Sequence, residues 1–147
     1  MNLLIRKHKV KANINHVFHC FTSIDYIHKE GNRYAKSKGL KIIKNNQELE
    51  FKGKKTLFKL KEIEAEEPTY CKVEITPMAQ NLKKFGGATI IFDFSESEGY
   101  TEVLTKITSN NNPSLFWKIF IKIIMLVLVF QSREDEKKYI QNIEKNA

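Results

Sequence analysis

Four histidines, two cysteines and a modest set of carboxylates bound the chemistry available to this chain of 147 residues. His8 lies in an alternating stretch, with Val10 and Ala12 on its side and Lys7, Lys9 and Lys11 on the other. It therefore faces inward, where it can donate to a ligand or act as a base, although a satisfied core histidine is the plainer reading. His16, His19 and Cys20 share one helical segment, and the His16/Cys20 spacing suits two metal ligands on one face. No third or fourth ligand accompanies them, so no metal is expected. Lys61 and Glu62 stand where an alternating pattern slips, and they either turn inward there or form a solvated strand edge. Thr105 shares a face with Val103 and Ile107 and can hydrogen-bond a ligand or only the backbone. "KFGGAT" lacks the GxxxxGKS/T phosphate loop, and neither GxGxxG nor GxSxG occurs. Without a catalytic constellation or a cofactor motif, the residues favour binding over catalysis.

The elements that must position these side chains follow from periodicity. "LLIRKHKVKA" reads as a first strand. "NINHVFHCFTS" reads as a helix, with Asn13 as its N-cap and Val17, Phe18 and Phe21 at helical spacing. A second short helix is expected around Ile24–His28, ending near Gly31. From Leu40 the period changes to two, and six strands follow: "LKIIK", "ELEF", "TLFKLKEIEAEE", "TYCKVEIT", "ATIIFDFSES" and "YTEVLTKITS". Asn45-Asn46, Gly53, Pro68, Gly86-Gly87 and Gly99 separate them. In the third of these the apolar parity slips from Phe58 and Leu60 to Ile63 and Ala65, which predicts a bulge near Lys61–Glu62 and a bend in the sheet. A sheet with one covered and one wet face is expected to be antiparallel.

The charge is unevenly distributed. The whole chain carries +8, but residues 1–61 carry +11, residues 62–111 carry −5 and residues 112–147 carry +2. The basic residues are 22 Lys and only 3 Arg. Specific nucleic-acid readers rely on the planar arginine fork, so no specific nucleic-acid partner is expected, and a solvated lysine surface is the plainer account. Two cysteines outside any CxxC pair, and an amino terminus that reaches charge after five residues, point to a reduced cytoplasmic setting.

Between Leu115 and Phe130, sixteen residues are interrupted only by Lys118 and Lys122. A span needs about 20 apolar residues, and a central lysine costs roughly 2.5 to 3.5 kcal/mol on insertion. A gripped helix, capped by Asn112 with Pro113 at its first position and running to about Lys145, fits better. On a helical wheel Lys118, Lys122 and Arg133 form one narrow stripe, with Trp117, Ile121, Ile124 and Leu128 on an apolar side. That apolar arc is wider than one sheet requires, so part of it is left to line a cavity, a homodimer contact or a membrane surface.

The order strand, two short helices, six strands and long carboxy-terminal helix resembles the helix-grip fold of the START/Bet v 1-like superfamily (SRPBCC). This is also called the polyketide cyclase/dehydrase and lipid-transport group. "VKANINHVFHCFTSIDY" is similar to its opening strand and first helix, and "SREDEKKYIQNIEKN" to its final turns; the nearest likeness is to uncharacterised bacterial members. The resemblance implies an α+β fold in which a seven-stranded curved antiparallel sheet wraps around the last helix, in one domain spanning residues 1–147. It also implies an apolar cavity between them for a lipid or another hydrophobic small molecule. The side chains expected to line it are Phe18, Phe21, Phe58, Leu60, Ile75, Ile90, Phe92, Val103, Ile107, Trp117, Ile121, Ile124 and Leu128, with His8 and Thr105 as polar members. No cofactor is implied. The alternatives are an interaction module, acting through a homodimer or peripheral membrane contact, and a cyclase- or dehydratase-like enzyme.

Overall fold

Alternating side chains in seven segments fold into one antiparallel sheet, and the segments at helical spacing pack across its ends. The computed structural model describes residues 2–35, 39–80, 86–109 and 133–146. In chain order these form β1 (Asn2–Val10), α1 (Ile14–Thr22), α2 (Ile24–Ala35), β2 (Lys41–Asn45), β3 (Glu48–Lys52), β4 (Thr56–Glu66), β5 (Tyr70–Pro77), β6 (Ala88–Ser97), β7 (Tyr100–Ser109) and a terminal helix, α3 (Arg133–Lys145). The sheet order is β1-β7-β6-β5-β4-β3-β2. The two helices between β1 and β2 thus connect opposite edges of the sheet. This is the α+β helix-grip arrangement that the element order predicts.

Local chemistry explains where the elements start and bend. Asn13 caps α1 with its Oδ1, which accepts the His16 N–H at 2.9 Å. The β6–β7 hairpin turns through Glu98 and Gly99, both with positive φ (46° and 82°), the geometry of a tight two-residue connection. In β4 the ladder to β5 shifts register between Glu62 and Glu64, so Ile63 is the extra residue of the bulge. Its side chain is 49% exposed, because a bulged residue has no row of neighbours to pack against.

Helix α2 departs from expectation. It does not stop near Gly31 but continues to Ala35. A β-carbon at Gly31 would lie 2.6 Å from Ile42 Cδ1, so this glycine allows close helix–strand approach and does not mark a helix end. One residue on, Asn32 donates through Nδ2 to the Ile42 carbonyl (3.1 Å) and accepts the Ile42 N–H on Oδ1 (2.8 Å). That amide takes the place of a neighbouring strand along part of the exposed β2 edge.

The core falls into two packed clusters. One gathers Ile42, Leu49, Phe51, Phe58, Leu60, Ile75, Ala88, Ile90 and Ile107. In it the Phe51 and Phe58 rings stack at 4.6 Å. The other gathers Val10, Ala12, Val17, Phe18, Cys20, Phe21, Cys71, Phe94, Val103, Tyr139 and Ile143. The second cluster contains the seat of α3. Tyr139 donates its hydroxyl to the Cys20 carbonyl at 2.9 Å, and His16 Nε2 donates to the Ile143 carbonyl at 2.9 Å. Asn142 reaches the buried Glu30 carboxylate at 3.1 Å, and Arg33 also pairs with that carboxylate at 3.5 Å. Residues 110–132, including the apolar run Leu115–Phe130 and the expected helix start at Asn112, lie outside the described residues.

Candidate functional site

Register places the side chains that share the concave face. One row across the sheet runs Arg6, Thr105, Phe92, Cys71 and Ala65. On one side of it lie His8, Val103 and Phe94. On the other lie Ile107, Ile90, Val73 and Glu62. Cross-strand neighbours on one face stand about 4.5 to 5.5 Å apart at Cβ, so these rows form a continuous surface.

The expected lining residues divide into three groups. Phe18, Phe21, Phe58, Leu60, Ile75, Ile90, Val103 and Ile107 are buried in the two clusters, packed against protein. Phe21 alone meets Phe92, Phe94 and Tyr139 edge-on at 6.0 to 6.1 Å. Phe92, Thr105 and His8 are half-buried, and His8 faces inward with its ring 6.4 Å from that of Phe21. Trp117, Ile121, Ile124 and Leu128 lie outside the described residues.

The half-buried members coincide in space. Val73 and Phe92 pack against both clusters without being buried in either; Thr105 pairs with Phe92 and Arg6 with Thr105, while His8 lies one row away, opposite Val103. Among the described residues, the half-buried side chains between the two clusters thus combine two apolar members with three polar ones. Arg6 is the member that the motif reading passes over. Its signal is simple: it precedes His8 by two residues in a strand, so it must share the inward face.

A second concavity, an open groove of about 420 Å³, lies between the α1–α2 joint and the bulged end of β4. Its lining is largely polar and includes His19, Thr22, Ser23, Asp25, Lys44, Gln47, Glu62 and Glu67. Lys44 pairs with Asp25, and that cation holds the Asp25 carboxyl below its ordinary range. Glu62 belongs to the concave-face register yet is exposed at this groove.

Neither cysteine is poised as a nucleophile. Burial pushes the Cys71 thiol up to about 12, with the Glu62 charge adding to the shift. Burial also raises Cys20, against a lowering hydrogen bond from Tyr26. Cys20 Sγ lies 3.7 Å from His16 Nε2, the nitrogen that serves the Ile143 carbonyl, so this pair acts in seating α3.

No family model matches the sequence. A comparison with curated proteins finds no match. Solved structures do resemble it along its length. Protein MLL2253 from Mesorhizobium loti aligns with a TM-score of 0.65 at 7% identity, covering 98% of this chain and 97% of that one. Ara h 8.0201, a Bet v 1-family protein, gives 0.62 at 9% identity, covering 97% and 94%. PFC0360w, an HSP90 activator from Plasmodium falciparum, gives 0.55 at 10% identity, covering 85% and 94%. At such identities the likeness is one of fold, and that fold is Bet v 1-like.

Proposed function

We propose that this chain, as a single START/Bet v 1-like domain, binds a hydrophobic small molecule or lipid against the concave face of its sheet, without chemistry of its own. The observation that carries this reading is the under-covered centre of that face, where Val73 and Phe92 stay half-buried between two packed clusters. Pockets for apolar ligands combine an apolar wall with a few orienting polar groups. Arg6, His8 and Thr105 supply donors of that kind on one side of the wall, which suits an amphipathic ligand whose polar end lies towards β1 and β7. Two free, buried cysteines accord with a reduced cytoplasmic setting. Among the described residues no helix is long and apolar enough to cross a membrane.

The test is native mass spectrometry of the protein purified from its host, followed by titration of the stripped protein with fatty acids and sterols against an environment-sensitive dye. A bound apolar species, or saturable displacement near one to one, supports the reading. A protein that carries nothing and displaces nothing overturns it.

A second reading, a cyclase- or dehydratase-like enzyme, draws on the same trio, because His8 beside Arg6 gives a base next to a cation. It requires turnover of a polyketide-like substrate that His8→Ala abolishes while ligand binding persists. Binding without turnover removes it.

A further inference from the structure

The charge asymmetry of the linear sequence does not fold into one basic half. Basic β1 lies beside β7, where Lys7 pairs with Glu102 at 3.4 Å, and β4 beside β3, where Lys59 pairs with Glu50 at 3.5 Å. Among the described residues Lys7, Lys44 and Lys59 find carboxylates in this way. One end of the sheet gathers lysines that do not. The start of β2, the β3–β4 turn and the end of β5 meet there: a β-carbon built on Gly53 would lie 3.7 Å from Leu40 Cδ2, and the Met78 N–H donates to the Leu57 carbonyl (2.8 Å). This end carries Lys41, Lys52, Lys54 and Lys55, and residues 39–43, 52–60, 77–80 and 86–92 contain no Asp or Glu. Among the described residues none of these four lysines has an ion-pair partner. The opposite end holds Glu62, Glu64, Glu66 and Glu67 around the β4–β5 turn and Glu96 and Glu98 at the β6–β7 turn.

Lys41 and Lys52 are direct cross-strand partners. Like charges in that position are destabilising, and here two further lysines are added in the adjoining turn with no carboxylate to offset them. We propose that this lysine end is a docking surface for an anionic lipid membrane. Lysine ammonium groups are compact, strongly hydrated charges suited to a diffuse anionic surface, whereas base or phosphate readout favours the arginine fork. Half-buried Leu40 and Met78 beside the lysines give the same end apolar side chains for the interfacial layer. The arrangement is independent of any ligand on the concave face.

Vesicle co-sedimentation of the full chain tests this, with phosphatidylcholine vesicles with and without phosphatidylserine, at low and high salt. Binding is expected only with phosphatidylserine and is expected to fall as salt screens the charges. Lys54→Glu/Lys55→Glu is expected to weaken it about thirtyfold or more, equivalent to about 2 kcal/mol at roughly 1 kcal/mol per lysine. Lys9→Glu/Lys11→Glu makes the same change in net charge at the opposite end of the sheet, near the β6–β7 turn, and it is expected to leave binding within about twofold of the parent because surface attraction decays within a Debye length. Absence of phosphatidylserine-dependent binding overturns the proposal. So does an equal loss in the two variants, which would reduce the effect to net charge. Tighter binding to a duplex nucleic acid than to the vesicles, abolished by Lys54→Glu/Lys55→Glu, would also overturn it in favour of a nucleic-acid surface.

Discussion

The hydroxyl of Tyr139 helps to hold the terminal helix through a buried hydrogen bond to the Cys20 carbonyl. Removing it in Tyr139→Phe keeps the ring contacts with Phe21 and Tyr26 but leaves a buried acceptor poorly served. The expected cost is about 1 to 3 kcal/mol, seen as a lower urea midpoint with an unchanged slope; an unchanged midpoint contradicts it. Cys71 gives a pH prediction. Folding raises its pKa from the ordinary 9.0 to about 12, so the folded state holds this proton more tightly than the unfolded chain. That contribution is complete below pH about 9 and is lost as pH rises towards about 12. Urea midpoints measured across that range are expected to fall more steeply in the parent than in Cys71→Ala; parallel curves contradict the assignment. At this scale the sequence told most about parity. Alternation in β1 placed His8 inward, and the same rule applied two residues earlier places Arg6 beside it. The hydrogen-bond partners of Tyr139 and Asn32 depend on contacts between distant segments, which no local spacing encodes.

Elements were legible wherever turn chemistry and period agreed. β6 and β7 coincide with the alternating segments because Gly86-Gly87 and Glu98-Gly99 bound them sharply. The parity slip in β4 anticipated the bulge, and the ladder places its extra residue at Ile63. Deleting Ile63 would leave Glu62 opposite Val73 and Glu64 opposite Lys72 in an unbroken ladder. The deletion variant is expected to fold with the same strand content but without the local bend, and with altered ligand affinity on the concave face. A variant that does not fold contradicts this account of the bulge, and circular dichroism with dye titration decides. Helix α2 was misjudged because glycine signals both helix stops and close approach, and only the position of Ile42 distinguishes them. Gly31→Val is therefore expected to cost about 1 to 3 kcal/mol by overpacking, read from thermal unfolding. No loss of stability would show that Ile42 yields freely.

Among the described residues, the sheet carries two packed clusters with Val73 and Phe92 half-buried between them, and four lysines without an ion-pair partner gather at one end. The order of elements was enough to indicate the helix-grip fold, because α1 and α2 fall between the first two strands and a terminal helix closes the chain. The proposed ligand site was less legible. Alternation identifies an inward face but does not distinguish side chains consumed by the core, such as Phe58 and Ile75, from those left half-covered, such as Phe92 and Val73. The central claim is that a ligand occupies this half-covered centre. The most direct measurement is titration of the stripped protein with a fluorescent fatty acid, compared with Thr105→Phe, which adds a ring between Arg6 and Phe92. The account predicts saturable binding near one to one in the parent. In the filled variant it predicts binding weakened about tenfold or more, equivalent to about 1.4 kcal/mol, without loss of thermal stability. Equal binding by the two proteins, or none by the parent, would contradict it.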